Sequence, residues 1–348
     1  MLLKSLFKKE ESSSLQCTHY KKLFFLTPLF AGVAFAILLT SPLFRISGIS
    51  GRQETIVHAL QQELLYGIML GNSRVMNGVD TTVLEKTLSA NGHFYNLSSG
   101  GQTGLESILI MDNLNKPVSH IGLGLSFGMT PEEDKIDVPE NVLSKYHLSG
   151  FVFSEKVFLL AQKTNGASFI SFYGKTSFER TLASRWFFSA AVNDLFRRWL
   201  RPDLELEKGM HDLFHPSPYT TKLSEEKTAI LIKRNYSSRP AFYFYDSQKE
   251  LLRHFKAENE KTGRFYFVVI MPVNPKVMEN ADRASLSSCV EQTKELLGEK
   301  QVLDLSGTLS HELFIDDCHP TRTGAQHISR RIAEYLKSNS PAGGRNAF

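Results

Sequence analysis

Cysteine is scarce in this sequence. Only Cys17, Cys289 and Cys318 occur in 348 residues. There is no CxxC pair, and no Cys/His spacing points to a metal. Cys289 and Cys318 either pair in an oxidising compartment or stay as two buried thiols. An excess of one charge is also missing. Forty Lys and Arg against 36 Asp and Glu leave a net charge of +4. No basic stripe with interleaved aromatics is present, so nucleic acid is not an expected partner. What remains is an ordinary globular composition, 42% hydrophobic and 22% charged, enough for one large domain or two small ones.

One segment departs from that pattern. "LFFLTPLFAGVAFAILLTSPLF", residues 23–44, carries no charge and has the length of a bilayer-spanning helix. Lys4, Lys8, Lys9, Lys21 and Lys22 precede it, against Glu10 and Glu11, and only Arg45 and Arg52 follow closely. Positive charge on the short N-terminal side places that end in the cytoplasm. The run is longer than a signal-peptide core and ends in Ser41-Pro42-Leu43-Phe44, which favours an uncleaved anchor. The expected organisation is a cytoplasmic segment 1–22, a transmembrane anchor 23–44, a linker 45–55, an extracytoplasmic domain 56–338 and a disordered tail 339–348. The lipid bilayer is then a partner through residues 23–44.

From residue 56 on, strand and helix patterns alternate. "TIVHALQQELL" reads as a helix leading into a strand at 65–70. "TTVLEKTLSANG" reads as a helix with Thr82 and Glu85 at capping-box spacing. "HFYNLS", "PVSHIGLGLSF", "RFYFVVIMPV" and "QVLDLS" read as strands, separated or followed by helical patterns that close with "TGAQHISRRIAEYLKS". The aromatic-rich and Arg-rich stretch at about 130–260 reads as a mainly helical insertion, a lid or a substrate-facing subdomain. Alternation of this kind predicts βαβ units and a mostly parallel sheet. Such sheets bind ligands at the carboxyl ends of their strands, where Ser73, Asn96–Gly101, Ser126 and Asn274 fall.

Ser73, in "YGIMLGNSRVMNGVD", follows Gly71 and Asn72 at the end of an apolar run. A serine needs a base to take its proton and a third group to orient that base. His319 stands in "FIDDCHPTRTG", between the last strand and the last helix, with Asp316 three residues before it and Asp317 as the rival orienter. For an oxyanion site, the N–H of Ser73 is one donor and "YNLSSGGQT" offers another at Gly101, or else forms a plain Gly-Gly turn. Asn274, in "MPVNP", is either a side-chain donor or a proline-flanked turn residue.

Taken together, Gly71-Asn72-Ser73, then Asn96 with Gly101, Gln102 and Thr103, then Asp316-x-x-His319 resembles the SGNH (GDSL-type) hydrolase superfamily. The resemblance covers roughly 60–130 and 262–338. It implies an α/β fold, a three-layer α/β/α sandwich, with Ser73 as nucleophile, Asp316 and His319 as its partners and Gly101 as oxyanion donor beside Asn96; Asn274 is the candidate for the side-chain donor that the missing block would supply. It implies no metal and no cofactor. Two positions depart from the pattern. Asn72 replaces an acidic residue, and the Gly-x-Asn-Asp block is absent where the strand ends in Leu125-Ser126-Phe127. With the anchor and the insertion, the chain is similar to the membrane-anchored branch of bacterial envelope acyl-transfer proteins, which includes the D-alanyl transfer protein of teichoic-acid synthesis. Proteins of that branch often work with a multispanning membrane O-acyltransferase. The expectation is therefore a serine esterase or O-acyltransferase acting on acyl esters of an envelope glycan or polymer. The rivals are a non-catalytic module binding such a polymer or the membrane partner, and a lysophospholipase.

Overall fold

The computed structural model describes residues 65–88, 92–114, 117–128, 153–164, 223–235, 241–279 and 281–340, with Gly32, Ala59, Gly166, Phe169 and Ile170 beside them. The expected anchor 23–44, the segments flanking it, the tail beyond 340 and most of 130–260 lie outside the described residues. Among the described residues no helix is long and apolar enough to cross a membrane. The chain divides into two compact units, Met1–Ser47 and Gly48–Phe348, and every element below belongs to the second.

Five strands form one sheet: β1 (Leu65–Leu70), β2 (His93–Asn96), β3 (Val118–Leu125), β4 (Phe265–Ile270) and β5 (Val302–Asp304). Their order is β2-β1-β3-β4-β5, and each pairing is parallel. Parallel neighbours require crossovers, and the crossover helices cover both faces of the sheet. The strand sequences agree, since β4 "FYFVVI" is nearly all buried and apolar. Alternate side chains feed two separate cores. Ile68, Leu70, Ile121, Val268 and Ile270 join one cluster, whereas Met69, Phe267 and Val269 join the other.

The first core receives α3 (Gly104–Asp112), α4 (Glu155–Lys163), α6 (Asp246–Lys261) and α8 (Arg283–Leu297). The second receives α1 (Ser73–Gly78), α2 (Thr81–Leu88) and α9 (Arg322–Asn339). A helical layer on each side of a five-stranded parallel sheet makes this an α/β fold compatible with a three-layer sandwich. Two shorter pieces complete the description, α5 (Glu225–Asn235) and α7 (Pro275–Met278).

Two local expectations change. The cap of α2 is Asp80, whose Oδ1 accepts from the N–H groups of Thr82 and Val83 at 3.1 and 3.2 Å. Glu85 instead reaches across to the Phe94 N–H at 2.7 Å and fastens the start of β2. The capping box stands at α3, where Thr103 and Glu106 bond each other's backbone. Second, α6 packs against α3, α8 and β4. It is therefore the crossover helix between β3 and β4, although the stretch 130–260 reads in sequence as an insertion throughout.

The strand order makes β1 and β3 the pair between which the chain changes direction. From β1 the chain moves outward to β2, then returns past β1 to β3. Ligand crevices of open parallel sheets open at this point, beyond the carboxyl ends of the two strands. Ser73 lies three residues after the end of β1. Glycines let α1 approach the sheet there. Gly71 has φ +148°, a conformation that favours glycine, and a Cβ on Gly124 of β3 would stand 2.0 Å from Cγ2 of Val75. Val75 of α1 fills the space that both glycines leave open, which sets the height of α1, and of Ser73, above the strands.

Candidate active site

Ser73 is the first residue of α1, and Asn72 is its N-cap, with Oδ1 accepting from the Arg74 N–H at 3.0 Å. The Asn77 amide donates to the Ser73 carbonyl at 2.9 Å. Asn96, at the end of β2, donates to the carbonyls of Val75, Met76 and Val79 at 3.0, 3.3 and 3.1 Å, and its Oδ1 accepts from the Ser98 N–H. The serine therefore sits on a short helix held at its start by Asn72 and at its far end by Asn96. Being buried and engaged with backbone, Asn96 positions α1.

The second part of the site comes from the chain after β5. A tight loop closes between Phe314 and Pro320, with the Ile315 N–H donating to the His319 carbonyl at 2.8 Å and the Thr321 N–H to the Leu313 carbonyl at 2.7 Å. Within it, Asp316 Oδ1 accepts from the N–H groups of Cys318 and His319 at 2.9 and 2.7 Å. Its Oδ2 lies 2.8 Å from His319 Nδ1, and His319 Nε2 lies 2.9 Å from Ser73 Oγ. A carboxylate only accepts, so Nδ1 carries a proton, and in the neutral ring Nε2 presents a lone pair to the serine hydroxyl. Asp316, rather than Asp317, holds this bond. The side chains of Asp316 and His319 are each 17% exposed, shielded yet reachable from solvent.

The electrostatics follow from this packing. Burial of the His319 ring disfavours its charged form, but the Asp316 hydrogen bond, the Cys318 contact and the Asp316 charge outweigh it, and the pKa is pushed up to about 10. Asp316 moves the opposite way. Burial works against the carboxylate, and the hydrogen bonds from His319 and from the Cys318 N–H hold it below the usual range. Cys318 is a free, half-buried thiol, and Cys289 is free and buried. Cys318 Sγ lies 3.5 Å from His319 Nδ1 and 3.9 Å from Nε2. It therefore lies within 4 Å of both ring nitrogens. Asp316, Cys318 and His319 are the group among the described residues with donor atoms close enough for a metal. Their carboxylate and imidazole are already committed to each other and to Ser73.

No family model matches this chain. No curated protein matches it either.

The remaining expected residues divide. Asn274 is fully buried and caps α7, its Oδ1 accepting from the Lys276 N–H at 3.0 Å. Its Nδ2 donates to the Asp316 carbonyl at 2.9 Å, and His311 Nδ1 lies 2.9 Å from its Oδ1. Asn274 thus ties the end of β4 to the loop that carries Asp316 and His319. Gly101 has φ +69°, the left-handed conformation that favours glycine, and is exposed. Its loop is stitched to β1 through the Ser99 N–H and the Gly71 carbonyl at 3.3 Å. A run of side chains, Ser99 to Gln102 to Ser107, each 3.0 Å from the next, stiffens the loop from behind. The Ser73 N–H is one of the first donors of α1, which have no acceptor within their own helix.

A cavity of about 490 Å³ opens beside the serine. Gly71, Asn72 and Arg74 contribute to its wall, flanking Ser73 on both sides. The end of β3 with the three residues after it, and the start of α3 with Gln102 and Thr103 before it, supply more, and Tyr245, Gln248, Leu251 and Leu252 come from α6 and its cap. The α6 residues carry no motif. Their only sequence signal is the apolar face of an amphipathic helix, which does not say what it faces.

Proposed function

We propose that this chain is a serine esterase or O-acyltransferase that works through an acyl-enzyme on Ser73. The observation that carries the reading is the unbroken series Asp316–His319–Ser73, with hydrogen bonds of 2.8 and 2.9 Å. Neutral His319 takes the Ser73 proton at Nε2 as Oγ attacks the ester carbonyl carbon. In this reading the N–H groups of Ser73 and Gly101 hold the oxygen that becomes negative. Asp316 steadies the imidazolium that forms. The tetrahedral intermediate collapses, the C–O bond to the alcohol breaks, and Nε2–H returns the proton to the leaving oxygen. Water or an acceptor hydroxyl then attacks the acyl-enzyme by the same path in reverse.

The resemblance to the SGNH superfamily supports this assignment of roles. The apolar, uncharged run 23–44 supports an anchored enzyme with its domain outside the cytoplasm, acting on acyl esters of an envelope glycan or polymer. A fluorophosphonate probe tests the chemistry. The wild type is labelled, and the Ser73→Ala protein, of unchanged far-ultraviolet circular dichroism, is not. Labelling that persists in Ser73→Ala removes the proposal. Ester turnover in that variant falls by roughly 10⁴-fold or more.

A further inference from the structure

We infer that the cavity beside Ser73 is the subsite for the acyl half of the substrate, and that it takes an acyl group of several carbons in preference to acetyl. The inference rests on the acyl-enzyme reading above and adds the substrate class to it.

The first argument is directional. His319 must hand its proton to the leaving oxygen, so the alcohol lies on the His319 side of the serine. The cavity wall, among the described residues, takes nothing from the loop that carries Asp316 and His319. It is built from the other side: the residues next to Ser73, the end of β3, the start of α3 and α6. An ester seated with its leaving group under His319 therefore directs its acyl chain into this space. The position agrees with the crevice between β1 and β3 where the chain changes direction.

The second argument is size and lining. About 490 Å³ at about 30 Å³ for a water-sized group is room for on the order of ten such groups, once an open mouth is allowed for. Acetyl would leave most of it to water. Ile108, Leu123, Leu125, Phe127, Leu251 and Leu252 give apolar wall against which methylenes gain from burial. The lining is not that of a plain lipid tunnel, because Gln102, Ser107, Gln248 and Tyr245 interrupt it. Ser126 sharpens the point. Its Oγ is buried, has no hydrogen-bond partner, and belongs to a residue on the cavity wall. A buried hydroxyl left without a partner is costly. Ser126 stands where the strand lacks the Gly-x-Asn-Asp block, so this wall is a place where the chain departs from the pattern it otherwise resembles.

The test is a chain-length series of p-nitrophenyl esters, acetyl, butyryl, hexanoyl and octanoyl, on the full chain. In the wild type, kcat/KM rises by at least about tenfold from acetyl to hexanoyl, the discrimination a hydrophobic pocket gives for added methylenes. Leu251→Phe narrows the cavity and cancels that gain, lowering hexanoyl turnover more than acetyl turnover. Leu251→Ala widens it and moves the optimum to octanoyl, and this variant decides the matter if Leu251→Phe fails to fold. A wild type that prefers acetyl, or a length profile that neither variant moves, overturns the acyl subsite while fluorophosphonate labelling at Ser73 keeps the serine mechanism standing. Absence of both labelling and turnover of every ester removes the mechanism and the subsite together.

Discussion

Replacing Asp316 by asparagine tests the orientation of the base without removing a hydrogen-bonding group. Oδ1 accepts two backbone N–H groups, at 2.9 and 2.7 Å, and Oδ2 faces His319 Nδ1 at 2.8 Å. An amide has one oxygen and one NH₂. Turning the NH₂ toward the backbone would leave two N–H donors without an acceptor, at about 1–3 kcal/mol each for buried groups. The amide oxygen therefore stays with the backbone and the NH₂ points at Nδ1. His319 must then accept at Nδ1 and carry its proton on Nε2, against Ser73, where it has no lone pair to receive the serine proton. In serine triads this exchange lowers kcat by about 10⁴, or about 5 kcal/mol of barrier. A second effect separates orientation from simple damage. The Asp316 carboxylate is the chief group raising the His319 pKa to about 10. The active form has the neutral ring, so kcat/KM of the wild type climbs with pH into the alkaline range. With the carboxylate gone, its part of that rise is lost and burial weighs more, so the residual activity of Asp316→Asn reaches its plateau at lower pH. The assay is kcat/KM for p-nitrophenyl butyrate across the neutral and alkaline range, with circular dichroism as a check on folding. A variant that keeps activity within tenfold of wild type, or whose acidic limb stays in place, refutes the assignment of Asp316.

Three further outcomes follow from the packing. Gly124→Ala drives a Cβ to 2.0 Å from Val75 Cγ2, so it costs about 1–3 kcal/mol in urea denaturation and displaces Ser73; adding Val75→Ala restores part of both stability and turnover, and no rescue would refute the packing account. Asn274→Ala strips the Asp316 carbonyl and the Lys276 N–H of a partner and lowers stability by about 2–4 kcal/mol, with kcat falling more than KM rises. The His319 ion pair has a signed pH dependence. Its folded pKa, about 10, lies above the ordinary 6.5, so its stabilisation is complete below pH 6.5 and is lost as pH rises toward about 10. Asp316 is shifted down from 3.8, so the same pair also weakens as acid protonates it. The Tm difference between wild type and His319→Gln should be widest between these limits and should vanish in strong alkali.

The parts of this fold that local pattern carries were legible in the sequence. β1, β3 and β4 stand as continuous apolar runs, and α9 as an amphipathic repeat, because periodicity reports burial directly. Ser73, Asp316 and His319 were legible for a different reason: Ser73 follows β1 directly, Asp316 and His319 lie in the loop from β5 to α9, and a parallel sheet brings the carboxyl ends of β1 and β5 to one edge. Roles set by tertiary contact were not. Asn96 and Asn274 read as substrate-facing donors, and both are buried with their amides on backbone carbonyls of the site. Nothing local distinguishes an amide that greets a ligand from one that secures a loop. α6 read as part of an insertion because the stretch before it breaks the alternation, and its packing on α3 and α8 is visible only in three dimensions.

The hydrogen bond between Ser73 and His319 joins positions 246 residues apart. Closing so long a span of chain comes late, after local elements and the near pairs of strands have formed. On the proposed mechanism, the serine is an ordinary alcohol until β5 and the loop before α9 have docked. Labelling of Ser73 by a fluorophosphonate is thus also a clock. Followed during refolding, it should lag the return of helical circular dichroism and mark the moment when the last strand and the last helix are in place.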